Sequence, residues 1–422
     1  MYIQVCKKNK EFNFILFFLV IEILLEIIFS YSQMGGFSLT PYIRIILITV
    51  TFGFFLIDIL NVKIPIKSNS LVFSYNGLFV YGWLIFAIIS IFLGLLNKNP
   101  ILYILTDFIY VFFGALLFLI TEQRKSNHTL PAFFWVYISR IFAGFALVCL
   151  IFDLKSPSLL LVVMVALIYL NIIKKRGLEF SLLLIPYLLL VVTTNRTQLV
   201  VFFLMFLILF LNKSRHYFSK KVVLLFGLGM FFILFFLKHQ ILDFMLFFVN
   251  PKSNIGFRIQ QLSIILNEGI DYSSSFMVSI SQRVVEAKMV FHYWIDNSIN
   301  FIFGLGSGAT IDGGKFFIDG SVLNSSLLGS NRVHNIHLLP FSLIFRYGFI
   351  GLLLFCILLY IVFKSLVKVL NEKEDSSVIF WNLFFILWFI FSIPAASFLW
   401  SMPVFWISFS MIKNKKLTKP KN

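Results

Sequence analysis

Apolar runs long enough to cross a lipid bilayer recur along almost the whole of this 422-residue chain. A helix of about 20 apolar residues spans the roughly 30 Å hydrocarbon core, and helices satisfy their own backbone hydrogen bonds where no water can. The chain is 60% hydrophobic and only 13% charged, whereas soluble domains carry about 25% charged residues. These features predict an all-α polytopic membrane protein.

Twelve of the runs are predicted to be transmembrane helices joined by mostly short connections. They lie near residues 12–31, 41–60, 70–96, 101–120, 132–152, 157–173, 178–195, 197–211, 222–238, 347–363, 378–394 and 395–412. The first run follows three lysines, as a signal peptide would. At about 20 residues it is longer than the apolar region of a signal peptide, and it lacks a small-x-small cleavage site. We therefore expect an uncleaved first span.

The basic residues set the predicted orientation, because Lys and Arg are retained on the cytoplasmic side. They cluster in alternate connections, in seven segments: 1–11, 61–69, 121–131, 174–176, 212–221, 364–376 and 413–422. These segments hold 22 of the 35 Lys and Arg but only 5 of the 18 Asp and Glu, so they account for the whole net charge of +17. The charge is thus a topology signal and does not indicate a nucleic-acid partner. Both termini are predicted to be cytoplasmic.

One connection departs from this pattern. Residues 239–346 form a polar stretch on the predicted outer side, rich in Gly and Ser and with seven acidic and seven basic residues. Loops of this length are uncommon and usually functional. The predicted organisation is an N-terminal transmembrane bundle (1–238), this large periplasmic loop (239–346), and C-terminal transmembrane helices with a basic tail (347–422).

Three polar clusters border the spans at the outer side. The first ends in Arg196, at the junction of the seventh and eighth predicted spans. An arginine fork suits phosphate oxygens, although a basic side chain at this level can also simply extend to the membrane surface. The second cluster contains Arg283 and a glycine turn with Gly304, Gly306 and Gly308. Glycines allow the backbone to approach a ligand closely, but no strand precedes this turn and no P-loop Lys follows, so a nucleotide site is not indicated.

The third cluster contains Arg332, His334, Asn335 and His337. A histidine at a membrane entrance can accept a proton from an attacking hydroxyl near neutral pH, or it can serve as a hydrogen-bonding residue of the interface. No carboxylate or Cys nearby in the sequence adds a third metal ligand, so we expect no metal and no other cofactor. The three Cys form no C-x-x-C pair, so a disulfide framework is not indicated either.

These clusters, with the predicted topology, resemble the Wzy/WaaL superfamily of bacterial O-antigen polymerases and ligases, which have many spans and a large periplasmic loop. The family's T/S-x-S/N-R element is matched by Thr194-Asn195-Arg196. Its loop helix that begins with Arg and leads to Gly-x-Gly-x-Gly is matched by Arg283, Trp294 and Gly304-x-Gly306-x-Gly308. Its His-Asn-x-x-Leu element before a Gly-x-x-Gly span is matched by His334-Asn335, Leu338, Gly348 and Gly351.

Two features of the third element depart from the family. The family's His usually stands eleven residues before the first Gly of the span, as His337 does, whereas His334 has the Asn neighbour. Both remain candidates, with His334 slightly favoured. The residue two before Gly348 is often acidic in ligases, and here it is Arg346. This difference favours a polymerase.

The resemblance implies a fold like that of GT-C-type glycosyltransferases and transfer of a glycan from undecaprenyl pyrophosphate to a sugar hydroxyl without a metal. Arg196 and Arg283 would hold the pyrophosphates, and His334 or His337 would activate the acceptor. Arg258, Arg332, Asn335 and the three glycines are further candidates for substrate binding. The implied location is the bacterial inner membrane, and the implied partners are the lipid-linked oligosaccharide, membrane lipid, and a chain-length regulator and flippase of the same pathway.

Two alternatives remain open. An O-antigen ligase would use the same chemistry with lipid A core as acceptor. A lipid-linked oligosaccharide flippase would be a transporter, for which short loops and matching halves are expected. Charged residues within the spans are compatible with a transporter, but most are expected to form structural pairs. Asp107 with Arg140 is one pair that their opposite charges suggest.

Overall fold

The structure is a computed structural model that describes residues 10–32, 45–54, 75–124, 132–154, 156–191, 196–217, 260, 264, 278–312, 332–371 and 375–412. These residues are almost entirely helical. The N-terminal helices are α1 (Lys10–Ser32), α2 (Ile45–Phe54), α3 (Tyr75–Leu96), α4 (Ile101–Arg124), α5 (Ala132–Ile151), α6 (Ser158–Ile173), α7 (Gly177–Val191) and α8 (Arg196–Tyr217). The later elements are α9 (Val278–Ile295), α10 (Ser298–Phe303), β1 (Ile311–Asp312), β2 (Arg332–Val333), α11 (Leu339–Val369), α12 (Ser376–Ser392), α13 (Ser397–Ser401) and α14 (Pro403–Met411).

Four of these helices are long and apolar enough to cross a membrane: α3, α4, α5 and α11. Shorter apolar helices, α2, α6, α7, α8 and α12, coincide with further predicted spans. The all-α prediction is therefore confirmed for the described residues, with apolar helices of membrane-spanning length. The count of twelve spans stays a prediction, and the span predicted near 222–238 lies outside the described residues.

Two predicted spans differ from the observed helices. Residues 395–412 form α13 and α14 in place of one span, because Met402 is extended (ψ 122°) before Pro403, and a residue that precedes proline disfavours the helical region. The tenth predicted span begins within α11, which starts at Leu339 and is broken at Gly348 (φ 60°, ψ −137°). The helix of this span is thus preceded by a short helical segment, which begins at Leu339 and ends at the break at Gly348.

The core of the bundle is formed by α6 and α12, which are buried on nearly all sides. A helix that is apolar all round belongs in the centre of a bundle, and both sequences have this character. α12 packs against α6 and α11, and α6 packs against α7. Buried tryptophans and phenylalanines fill the contacts, as where Trp135 packs on Phe380 with ring centroids 4.7 Å apart. α5 and α8 also pack against α6, and α14 packs against α12.

A short antiparallel strand pair connects the second and third polar clusters of the sequence. Ile311 of β1 pairs with Val333 of β2, so the segment after the glycine turn runs beside the segment that leads to the two histidines. Pairing of this kind fixes register, because the side chains of a strand alternate between faces. The strand pair therefore brings the glycine turn and His334 to the same end of α4 and α11.

Candidate functional site

His337 and Glu286 form a hydrogen-bonded pair between α9 and the segment that precedes α11. The Nδ1 atom of His337 lies 2.9 and 3.0 Å from the two carboxylate oxygens of Glu286, and the backbone N–H of His337 donates to the same carboxylate at 3.0 Å. Gln282 donates to it from one turn earlier on α9. Glu286 is 1% exposed, whereas the His337 side chain is 39% exposed.

This geometry selects one tautomer of His337. A carboxylate can only accept, so Nδ1 carries the proton that faces Glu286. The other ring nitrogen, Nε2, is then an acceptor on a partly exposed ring. A histidine that is oriented by a carboxylate in this way can remove a proton from a hydroxyl and can stabilise the imidazolium that results.

Arg283 lies on α9 one turn before Glu286. Its Nε donates to the backbone carbonyl of Pro394 at 3.3 Å, in the turn that follows α12. The same turn holds the histidine segment, because Ala396 donates to the carbonyl of His337 at 2.8 Å and Leu339 donates to the carbonyl of Ile393 at 2.9 Å. Burial lowers the pKa of Arg283, and Glu286 opposes that shift. The turn at 393–396 thus brings a cation, an orienting carboxylate and a histidine together.

His334 occupies a different environment. It is 9% exposed, and its ring stacks on Tyr103 with centroids 4.4 Å apart and planes 4° apart. Nδ1 lies 2.8 Å from the carbonyl oxygen of Ala309, and Nε2 lies 3.3 Å from a carboxylate oxygen of Asp107. Both ring nitrogens therefore face oxygen atoms of the protein. Both nitrogens of His334 are thus engaged within the protein, whereas Nε2 of the partly exposed His337 can accept a proton.

Asp107 is the centre of a buried polar cluster, which the charges in the sequence did not reveal. Its second carboxylate oxygen accepts from Nε of Arg346 at 2.9 Å and from the backbone N–H of Gly308 at 2.9 Å. Arg346 also donates to the hydroxyl of Ser342 at 2.6 Å. We name Asp107, His334 and Arg346 the inner cluster. It ties α4 to α11, to the glycine turn and to the segment after β2.

The predicted pair of Asp107 with Arg140 is wrong. Arg140 donates to Glu179 of α7 at 3.1 Å, whereas Asp107 pairs with Arg346 and His334. A buried carboxylate requires compensation by charge and hydrogen bonds, and three donors supply it here. The expectation that charged residues in the spans form structural pairs is met by both sites.

The glycine turn approaches protein backbone closely. Gly304, Gly306 and Gly308 are buried and have φ of 74°, 82° and 74°, in the region that disfavours side chains. A Cβ on Gly304 would lie 2.6 Å from the backbone N of Gly348, and one on Gly308 would lie 2.7 Å from that of Ile104. One on Gly306 would overlap the backbone of Gly94. Packing against the spans therefore accounts for all three glycines, and a role in substrate binding stays a prediction.

We expect Gly306→Ala to destabilise the protein, because backbone atoms on both sides must move. Overpacking alone costs about 1–3 kcal/mol, and the positive φ adds strain. Gly82→Ala and Gly144→Ala are matched controls, since nothing lies within 4 Å of a Cβ at either helical position, and Ala in a helix is more stable than Gly by about 0.5–1 kcal/mol. Thermal unfolding in detergent measures the difference. Equal midpoints for Gly306→Ala and the controls would contradict this packing.

The other predicted site residues are placed as follows. Arg196 is the first residue of α8 and Arg332 lies in β2, and their side chains are outside the described part of the structure, as is all of Arg258. Asn335 is exposed between the two histidines. Among the described residues, no group of three or more His, Cys, Asp or Glu is arranged to hold a metal ion. The structure thus joins Arg283 with His337, and joins the glycine turn with His334.

Glu286 was not among the predicted site residues, and Arg346 was noted only as a difference from ligases. Glu286 carries a weak signal, since it stands one turn after Arg283 on a predicted helix. Arg346 stands before an apolar run, where an arginine is costly unless paired. Neither feature of the sequence indicates which residue Glu286 or Arg346 contacts.

Comparisons of the chain with protein-family models, with curated proteins and with solved structures give no match. The site is therefore interpreted from its own residues.

Proposed function

We propose that this protein is a glycosyltransferase of the O-antigen polymerase type, which joins lipid pyrophosphate-linked oligosaccharide units at the outer face of the bacterial inner membrane. The observation that carries the proposal is the Glu286–His337 pair beside Arg283. These residues supply an oriented base and a placed cation at the outer end of apolar helices, where a lipid-linked donor and a sugar hydroxyl can meet. The resemblance of the motifs to O-antigen polymerases supports the same reading.

In the proposed reaction, Nε2 of His337 takes the proton from the acceptor hydroxyl. The hydroxyl oxygen forms a bond to the anomeric carbon of the donor glycan, and the bond from that carbon to the pyrophosphate oxygen breaks. The lipid pyrophosphate leaves with the bonding electrons, and Arg283 stabilises its negative charge. Glu286 stabilises the imidazolium until its proton passes to solvent. Arg196 is proposed as a second pyrophosphate-binding cation.

The same chemistry would serve an O-antigen ligase, and the two activities differ in the acceptor. Arg346, the residue that distinguishes the chain from ligases in the motif, is 4% exposed and bound to Asp107. It therefore does not face an acceptor. A deletion strain separates the activities: loss of a polymerase leaves one repeat unit on the lipopolysaccharide core, and loss of a ligase leaves bare core with lipid-linked polymer.

The proposal includes both termini in the cytoplasm, twelve spans, and a chain-length regulator and flippase as pathway partners. Twelve spans agree with cytoplasmic termini, since an even number returns the chain to its starting side.

Arg283→Ala tests the proposal in cells. In the deletion strain we expect this variant to give mostly single repeat units, because removal of one cationic donor aimed at developing charge costs about 10²–10³ in turnover. Lys288→Ala is the matched control, since Lys288 is an exposed cation on the same helix. Staining of the separated lipopolysaccharide measures chain length. A full ladder from Arg283→Ala, at membrane levels equal to those of the control, would contradict the assignment.

A further inference from the structure

The glycine turn lies beside the last two turns of α3. The backbone N–H of Ser307 donates to the carbonyl of Ser90 at 2.9 Å, and Ser90 is six residues before Leu96, the last residue of α3. At 1.5 Å per residue this is a depth of about 9 Å. Phe303 lines a small cavity with Phe86, Ile89 and Leu93 of the same helix. Residues 303–307 are therefore level with the outer part of an apolar, membrane-length helix.

The backbone at this depth is hydrogen-bonded. The N–H of Leu305 donates to the carbonyl of Phe345 at 2.9 Å, and the N–H of Gly308 donates to Asp107. The carbonyl of Leu305 accepts from the side chains of Asn97 and Asn99, each at 3.0 Å. Irregular backbone is tolerated at membrane depth only where it is buried in protein and satisfied. The turn meets this requirement.

The outward side of α10 is apolar and exposed. Ile299 is 64% exposed, and Phe301, Ile302 and Phe303 are 42%, 45% and 37% exposed. Four large apolar side chains exposed within five residues are unusual for a segment in water, and contiguous apolar surface marks an interaction site.

This apolar surface continues onto the lipid-facing side of α11. Phe301 stacks on Phe349, with ring centroids 6.1 Å apart and planes 15° apart. Phe349 is the first of an exposed apolar stripe that runs along α11 with helical spacing: Phe349, Leu353, Ile357, Tyr360, Phe363 and Val367. Because α11 is one of the membrane-length helices, the occupant that covers this stripe is the hydrocarbon of the bilayer. The same occupant fits α10.

We propose that residues 298–308 form a re-entrant segment, with Ile299, Phe301, Ile302 and Phe303 in contact with lipid acyl chains. The segment therefore does not belong to a water-exposed loop domain, although it lies in the stretch 239–346. This inference concerns membrane placement and stands independently of the proposed reaction.

Fluorescence quenching tests the placement. In a variant without the native cysteines, Ile302→Cys carries an environment-sensitive fluorophore, and the full chain is reconstituted into phosphatidylcholine vesicles. Quenchers are spin-labelled lipids in the bilayer and iodide in the water. We expect bilayer quenching with little iodide quenching at position 302. Asp296→Cys, at an exposed polar position just before α10, is the control and is expected to be quenched by iodide.

Two results would overturn the inference. Iodide quenching at position 302 equal to that at 296 would place α10 in water. Protection from both quenchers would show that protein covers the face, as in a second copy of the chain. Ile299→Cys provides a second labelled position if the first variant does not reconstitute, and size-exclusion chromatography confirms that each variant is folded before labelling.

Discussion

Asp107→Asn is expected to destabilise the protein severely, because it leaves the buried guanidinium of Arg346 without its counter-charge. Breaking a buried ion pair by removing one partner costs about 3–5 kcal/mol, which is a large part of a typical stability of about 5–15 kcal/mol. Asn has nearly the same shape as Asp, so the effect isolates the charge. The cluster holds α4, α11 and the glycine turn together, and its loss should release all three.

Thermal unfolding of the purified variant in detergent measures this effect. Asp153→Asn is the matched control, since Asp153 is exposed in the connection between α5 and α6. The double variant Asp107→Asn/Arg346→Gln removes both charges of the pair, and we expect it to lose less stability than the two single changes added together. An Asp107→Asn midpoint equal to that of the control would show that the inner cluster does not stabilise the fold.

His337→Ala is expected to abolish polymerisation while leaving a folded protein. A positioned general base contributes about 10²–10⁴ in rate, and the half-exposed ring of His337 fills no core site. Glu286→Gln keeps an acceptor for Nδ1 but removes the negative charge that stabilises the imidazolium. We therefore expect a smaller loss of turnover from Glu286→Gln than from His337→Ala.

His292→Ala is the control for the His337→Ala and Glu286→Gln variants. His292 is an exposed histidine near the end of α9, the helix that carries Glu286. Chain length in the complemented deletion strain and turnover of the purified variants are the two measurements. His334→Ala is expected to lower thermal stability, since His334 is bound within the inner cluster. Full turnover by His337→Ala, together with loss by a folded His334→Ala, would reverse the assignment of the base.

Much of the helical framework was predictable because long apolar runs leave the backbone few choices. The span predicted at 132–152 is the helix Ala132–Ile151, and that at 157–173 is Ser158–Ile173. The helix break at Met402 is indicated in the sequence by Pro403. The prediction of one span over 395–412 used hydropathy alone and so did not include the effect of this proline. In each case the determining interactions are local, within a few residues of sequence.

The site depends on contacts that are remote in sequence. Asp107 and Arg346 are 239 residues apart in the sequence. Opposite charge alone is equally consistent with a pair of Asp107 and Arg140. The choice between His334 and His337 depends on Glu286, 51 residues from His337. The glycine motif was recognisable, but its close approach to Gly94 and Gly348 follows from how the turn packs between helices. Patterns in the sequence identify candidate residues, and the packing of the bundle decides their partners.

The most direct measurement uses the purified protein in phosphatidylcholine vesicles with lipid-linked repeat units extracted from the deletion strain. The proposal predicts that the wild-type protein lengthens these units into a ladder of polymers on a gel and releases lipid pyrophosphate. It also predicts that His337→Ala, at equal amounts of folded protein, gives neither product. Unchanged single repeat units after incubation with the wild-type protein, under conditions where it remains folded, would contradict the proposed function.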